Sequence, residues 1–423
     1  MADEEKHEES VEKHDDNAKK RNKDDIEINL NVLKKFGASI KKYWIIPALL
    51  LIMIAGFYVR VASFNYPYLL NVDSYYFYRY TNFIVQTGSV PNPDPYMLAP
   101  QGFDTSHLPL FYPYLSAYSY FAARTLVPSL ELWQFFIYFP ALLAALAAIP
   151  TYFIGKALLD RKAGVIAALF MVFNPFNMTR TLGGDPDSDA IVILMTLAAI
   201  ACFLIAYKHV ESKGLDRSGI LYSIIAGLAL AAFSNTWGGS WYVVWLFLGF
   251  IAAKFALEFF TKGKISMAEL KPALLSYLII FVVYFALTMP FLGWDHPLMI
   301  AQQPFGSFGL KTEAHTKFPN VMVSVAEMMA PDSGLTTVIQ RVGAELFILS
   351  ILSAMYLVSS FIFKRRHLDT FVFMAIWFLG PLYASIVAIR FIVLLSAPVT
   401  IMSAIVLAKF WRLGLDEDKS FFD

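Results

Sequence analysis

The chain has one cysteine in 423 residues, Cys202, which excludes an internal disulfide and a thiolate metal cluster. Charge is also scarce. Only 16% of residues are charged and 57% are hydrophobic, against about 25% charged in an ordinary soluble domain. Neither sign dominates: the net charge is +1, and the densest basic stretch is interleaved with acid, so no nucleic-acid footprint is present. The histidines at 7, 14, 107, 209, 296, 315 and 367 show no H-E-x-x-H or paired spacing, and no P-loop or dinucleotide glycine pattern occurs. Zinc hydrolysis, nucleotide binding and a soluble enzyme are thereby disfavoured.

What remains is a membrane body behind a charged tail. The first 42 residues hold 10 Lys/Arg and 11 Asp/Glu, a composition expected to stay solvated and disordered. The tail is too long and too acidic to begin a secretory signal, so the first apolar run is expected to be retained. Runs of about 20 apolar residues, enough to cross a bilayer core, recur from Tyr43 onward. Ten spans are expected, near 43–63, 133–155, 163–178, 190–207, 219–234, 240–260, 273–290, 343–363, 370–389 and 391–408. The stretch 108–123 is apolar but rich in Tyr and Pro, and is expected at the interface. The fold class is therefore an all-α polytopic membrane protein, with a tail (1–42), a transmembrane body (43–412) and a short charged end (413–423).

Lys and Arg set the orientation. They gather in short loops around 156–162, 208–217, 254–271, 364–366 and 409–412, and ahead of the first span, whereas the longer opposite loops hold few. This predicts a multi-pass protein of the cell membrane with a cytosolic N-terminus and three external segments, 64–131, 179–189 and 291–342. Loops this long are more often functional than spacers.

Each external segment carries acid. The first opens with Asn71-Val72-Asp73-Ser74-Tyr75-Tyr76-Phe77-Tyr78-Arg79, which also fits an aromatic belt with one solvated Asp. The second reads Thr179-Arg180-Thr181-Leu182-Gly183-Gly184-Asp185-Pro186-Asp187-Ser188-Asp189. One Asp there is explained as a helix cap. Three carboxylates within five residues repel one another unless a cation neutralises them, and oxygen donors suit Mg²⁺ or Mn²⁺ rather than zinc. The third, with Gly306 and Gly309 as hinge glycines of a lid, holds Ser324-Val325-Ala326-Glu327, a string that equally fits a capping box. Arg390 sits between two apolar runs, where a cation needs a partner or must snorkel to the interface.

Taken in order, these residues resemble the catalytic subunits of oligosaccharyltransferase, of the single-subunit archaeal and bacterial type, within the lipid-dependent (GT-C type) glycosyltransferases. Asp73 with its aromatic run is similar to that family's lone first-loop acid. Asp187-Ser188-Asp189, with Arg180 upstream, resembles its second acidic motif, and Ser324-Val325-Ala326-Glu327 its S-V-S-E motif. Asn235-Thr236-Trp237-Gly238-Gly239 and Arg390-Phe391 followed by Ala397-Pro398 are similar to further landmarks.

The resemblance implies metal-dependent transfer of an oligosaccharide from a dolichol-type phosphate or pyrophosphate carrier to Asn of an Asn-x-Ser/Thr sequon at the external face. It implies that Asp73, Asp187, Asp189 and Glu327 hold Mg²⁺ or Mn²⁺, with Asp73 and Glu327 also catalytic. Arg390 would hold the lipid phosphate, Arg180 would support the acids, and Ser324 would line the acceptor groove. The implied partners are a lipid-linked oligosaccharide, a sequon-containing polypeptide and membrane lipid. Members of this type usually carry a further external domain with a W-W-D-Y-G motif that reads the sequon; this sequence has neither, and the two expectations are a truncated form or a paralogue whose reader a partner chain supplies. The competing expectations are another polyprenyl-phosphate-dependent transferase (O-mannosyl or lipid-to-lipid), a transporter, and a non-catalytic membrane subunit.

Overall fold

A computed structural model describes residues 43–62, 64–263, 267–309, 325–364 and 366–413. The charged tail, Ser324 and the last ten residues lie outside that range. The chain divides into two compact units, Met1–Ala48 and Leu49–Asp423. Of the first, only residues 43–48 are described, and they are turn and helix.

The order is α1 Ile45–Val61, α2 Val72–Thr87, α3 Phe111–Leu126, α4 Leu132–Leu146, α5 Ala148–Leu158, α6 Arg161–Val172, α7 Pro175–Thr179, α8 Asp189–Lys213, α9 Arg217–Ser234, α10 Trp241–Lys262, α11 Met267–Leu292, α12 His296–Gly309, α13 Leu335–Val342, α14 Ala344–Lys364, α15 Leu368–Val387 and α16 Ile392–Leu413. Short 3-10 turns cover Gly238–Ser240, Ala326–Met328 and Ile389–Phe391. Among the described residues the β structure is one isolated bridge, between Asp94 and Phe103. An all-α bundle is what long apolar runs must form in lipid, because each backbone polar group then finds its partner within its own segment.

Among the described residues, eight helices are long and apolar enough to cross a bilayer, and α1 adds a shorter apolar helix of 17 residues. Helices α4 and α5 run as one such span, Leu132–Leu158. The expected span 163–178 is not a single helix. Pro175 has no N–H to donate, and the Asn174 side chain accepts from Phe176 N and Asn177 N at 3.1 and 3.2 Å, so α6 stops and the short α7 restarts the chain. Helix α3 is not among the helices that qualify as spans. Helix α12 takes up residues 296–309, so Gly306 and Gly309 lie in a helix rather than in an open loop.

Turns at one end of the bundle are short and capped by acid. Asp160 Oδ1 accepts from Ala163 N at 2.8 Å and Asp216 Oδ1 from Gly219 N at 2.7 Å, satisfying donors that a helix start leaves free. Helix α16 is central: 89% of its apolar window is buried, against 28% for α11. It packs against α14, α6 and α15, while α8 packs against α9 and α5. Helix α8 begins at Asp189 and ends at Lys213, about 36 Å apart at 1.5 Å per residue. The acidic turn and the basic turns therefore occupy opposite ends of one helix.

Candidate active site

The acid turn, residues 180–188, is built from neutral contacts. Arg60, near the end of α1, is 1% exposed and donates to three oxygens: Thr181 Oγ1 at 2.7 Å, Gly56 O at 2.9 Å and Val172 O at 2.6 Å. Its own carbonyl accepts from Gly183 N at 3.0 Å, and Gly184 N donates to Ile137 O at 2.8 Å. Gly184 has φ +80°, and a Cβ there would stand 2.0 Å from the Phe64 ring, so this turn needs glycine both for its backbone and for its space. The buried Tyr112 hydroxyl closes the turn by donating to Pro186 O at 3.2 Å.

Helix α2 brings Asp73 to this turn. Asn71 caps it by accepting from Asp73 N at 3.2 Å, Leu70 N donates to Gly184 O at 2.8 Å, and Ser74 Oγ donates to Asp185 Oδ1 at 3.2 Å. The far end of the same segment is fixed by a bidentate pair, with Arg79 donating to both Asp94 oxygens at 2.6 Å and the Tyr80 hydroxyl adding a third bond at 3.0 Å. Arg79 thereby holds the Asp94 carboxyl well below the usual range, at about 2.

Glu327 comes to the acids from the opposite side. The 3-10 turn Ala326–Met328 is tied to Ile389–Phe391 by Ile389 N donating to Met329 O at 3.1 Å. Glu327 Oε1 is 2.6 Å from Arg180 and Oε2 is 3.8 Å from Arg390, while Arg180 also reaches Asp189 at 3.7 Å. The break at Pro175 is what delivers Arg180, whose guanidinium lies over the Phe176 ring at 5.7 Å. Burial, with Asp73 nearby, pushes the Asp187 carboxyl up despite the hydrogen bond from Ser188 N and the attraction of Arg390. Burial and Asp187 push Asp185 up as well.

Of the residues singled out in the sequence, Asp73, Asp187, Asp189, Glu327, Arg180 and Arg390 are thus neighbours at one end of the bundle; Ser324 lies outside the described residues. Among the described residues, no three His, Cys, Asp or Glu side chains stand close enough to hold one metal ion. The donor chemistry nevertheless fits a hard divalent cation. All the candidate donors are carboxylates, Asp187 is half-buried between Asp185 and Asp189 in the same turn, and Glu327 is balanced by two guanidinium groups rather than by backbone donors. Arg60 and the Arg79–Asp94 pair were not singled out. A lone Arg at a span end and an Asp fifteen residues from an Arg carry no pattern that separates them from surface charge.

The family model for oligosaccharyl transferase STT3, N-terminal, matches residues 45–418. The chain belongs to this family. Among curated STT3 relatives it is 27% identical over 272 residues to dolichyl-phosphooligosaccharide-protein glycotransferase 3 of Archaeoglobus fulgidus, covering 61% of this chain and 30% of that protein. The archaeal oligosaccharyltransferase AglB of Archaeoglobus fulgidus, solved with an inhibitory peptide and a dolichol-phosphate, superposes with a TM-score of 0.67 at 20% identity, covering 89% of this chain and 51% of that one. An A. fulgidus oligosaccharyltransferase complex with Zn and sulfate superposes with a TM-score of 0.65 at 20% identity, over 87% and 50%. The chain thus spans about half of the solved proteins and under a third of that curated relative.

Proposed function

We propose that this chain transfers an oligosaccharide from a dolichol-type phosphate or pyrophosphate carrier to the side-chain amide of Asn in an Asn-x-Ser/Thr sequon, at the outer face of a cell membrane. The observation that carries the reading is Glu327 between Arg180 and Arg390, beside Asp189, Asp187 and Asp73: a carboxylate cluster and a phosphate-binding cation at one end of a multi-pass bundle. The opposite end of α8 reaches the basic turns, which supports a cytosolic N-terminus by the positive-inside rule. The relatives' named activity and the AglB complex with peptide and dolichol-phosphate support the same substrates.

In this reading Asp73, Asp187 and Glu327 hold Mg²⁺ or Mn²⁺, with Asp189 beside them. That cation, when bound, supplies Lewis-acid neutralisation of the charge that develops on the leaving phosphate. Arg390 binds phosphate oxygens with its planar fork. The amide nitrogen attacks the anomeric carbon, the bond from sugar to phosphate oxygen breaks, and the electron pair stays on the phosphate. An amide nitrogen is a poor nucleophile while its lone pair is delocalised. Asp73 and Glu327 accept its two N–H bonds, favour rotation out of conjugation, and one of them takes the departing proton. Arg180 lies beside the acids and balances Glu327 and Asp189 while no cation is bound, and Ser324 lines the acceptor groove.

The test is a glycopeptide assay with the protein in lipid nanodiscs, Mn²⁺, a lipid-linked oligosaccharide and a sequon peptide. Product from the wild type that falls about 100-fold or more in Asp73→Ala and Glu327→Ala supports the reading. Equal product from the variants overturns the assignment of roles.

A further inference from the structure

The acid turn contains a third carboxylate, Asp185, which the reading above leaves without a role. We propose that Asp185 is a positioning residue that fixes Asp73 against Asp187 by holding Ser74, the residue that follows Asp73. The inference rests on that reading of the site, in which Asp73 and Asp187 act together.

Ser74 Oγ donates to Asp185 Oδ1 at 3.2 Å. Ser74 directly follows Asp73, which is itself exposed. Ser74 is fully buried, so water cannot replace Asp185 as its acceptor, and a buried hydroxyl without a partner is costly. Asn71 uses its side-chain oxygen to cap α2 on Asp73 N. The backbone bond from Leu70 N to Gly184 O, 2.8 Å long, makes a second link across the same junction. The start of α2 is therefore clipped to the acid turn at residues 70 and 74, and the carboxylate between these clips is Asp73.

A carboxylate set two residues from Asp187 repels it, and that cost needs an offsetting gain. The Ser74 hydroxyl, a donor from the α2 junction, supplies one. A residue that orients a ligand without touching the ion is commonly worth 10–100-fold in metal affinity.

The test uses the full chain on a Cys202→Ala background, with nitroxides at Val72→Cys and Leu182→Cys, both exposed positions flanking the junction. Spin-label distances are read together with Mn²⁺ affinity. Asp185→Asn keeps an oxygen for Ser74 and is expected to retain a narrow distance distribution and an affinity within about threefold of wild type. Asp185→Ala and Ser74→Ala are each expected to broaden the distribution and weaken Mn²⁺ about 10-fold, and the double variant to be no worse than either, because both remove one link. An unchanged distribution in Asp185→Ala, or Asp185→Asn as damaging as Asp185→Ala, overturns the proposal. A wild type that binds no Mn²⁺ overturns the metal reading instead, and the distance measurement still decides the role of Asp185.

Discussion

Glu327 and Arg180, 147 residues apart in sequence, form a 2.6 Å ion pair, and Glu327 also lies 3.8 Å from Arg390. Two guanidinium groups thus meet at one carboxylate, and Arg180 also lies 3.7 Å from Asp189. The pairing is partly exposed, at 22% for Arg180 and 38% for Glu327, so its value lies in balancing the acids more than in stability.

In the proposed reading, a divalent cation and Arg180 compete for Glu327. Removing Arg180 leaves the acids less balanced and Glu327 freer, so Arg180→Ala is expected to be less stable without metal and to gain more from it. The check is the rise in melting temperature produced by saturating Mn²⁺, measured in nanodiscs. A larger rise in Arg180→Ala than in wild type agrees with the account, because a ligand that binds the folded state more tightly stabilises it more. An equal or smaller rise does not.

Acidification should weaken metal binding through Asp187. Burial raises its carboxyl pKa in the metal-free protein, so the folded state takes up a proton there at a higher pH than the unfolded chain. The proton must leave for the oxygen to act as a ligand. Mn²⁺ affinity is therefore expected to fall as pH drops toward that raised pKa, before ordinary carboxylates titrate, and titration calorimetry in two buffers of different ionisation enthalpy should show proton release. Affinity flat down to the ordinary carboxylate range would contradict this.

The Arg79–Asp94 pair has the opposite sign. With the Asp94 carboxyl held at about 2, its stabilisation is complete above the ordinary carboxylate pKa of about 4 and is lost as pH falls from there through about 2. Asp94→Asn should lower stability by about 2–3 kcal/mol at pH 7, less than the 3–5 kcal/mol or so of a fully buried pair because Arg79 is 34% exposed. The gap from wild type should be constant between pH 7 and about 5 and should close on further acidification. A gap that widens on acidification would refute the assignment.

Arg60 is the structural centre of the acid turn. Arg60→Met leaves Thr181 Oγ1 and Val172 O without this donor, and is expected to cost about 3 kcal/mol and to reduce glycopeptide formation by displacing Arg180 and Asp187 together. Arg60→Lys should recover only part of either, since an ammonium cannot reach three oxygens spread around a planar fork. Full recovery by Lys would show that charge alone matters.

The sequence made the bundle legible because a bilayer imposes one periodicity and one length on each span. Helices α8 to α11 and α14 to α16 lie where apolar runs predict them. Its error at 163–178 came from reading hydropathy across Asn174-Pro175, a dipeptide that marks a break by its backbone chemistry. Asp187 and Asp189 stood out because three acids within five residues repel one another; Asp73 and Glu327 became legible only through the resemblance of their motifs, since an aromatic belt and a capping box explain them equally well alone. Arg60 did not, because its partners are carbonyl and hydroxyl oxygens that come together only in the fold. The clip from Ser74 to Asp185 was hidden for the same reason: short polar residues near a helix start are common, and only tertiary structure shows which of them meet.

The central claim is that carboxylates from three separate segments act on one cation. Equilibrium dialysis of Mn²⁺ against the nanodisc-embedded protein tests it most directly. The account predicts one tightly held ion per chain in the wild type, and affinity weakened at least 10-fold in each of Asp73→Ala, Asp187→Ala and Glu327→Ala. Wild-type affinity retained in any one of the three would contradict it.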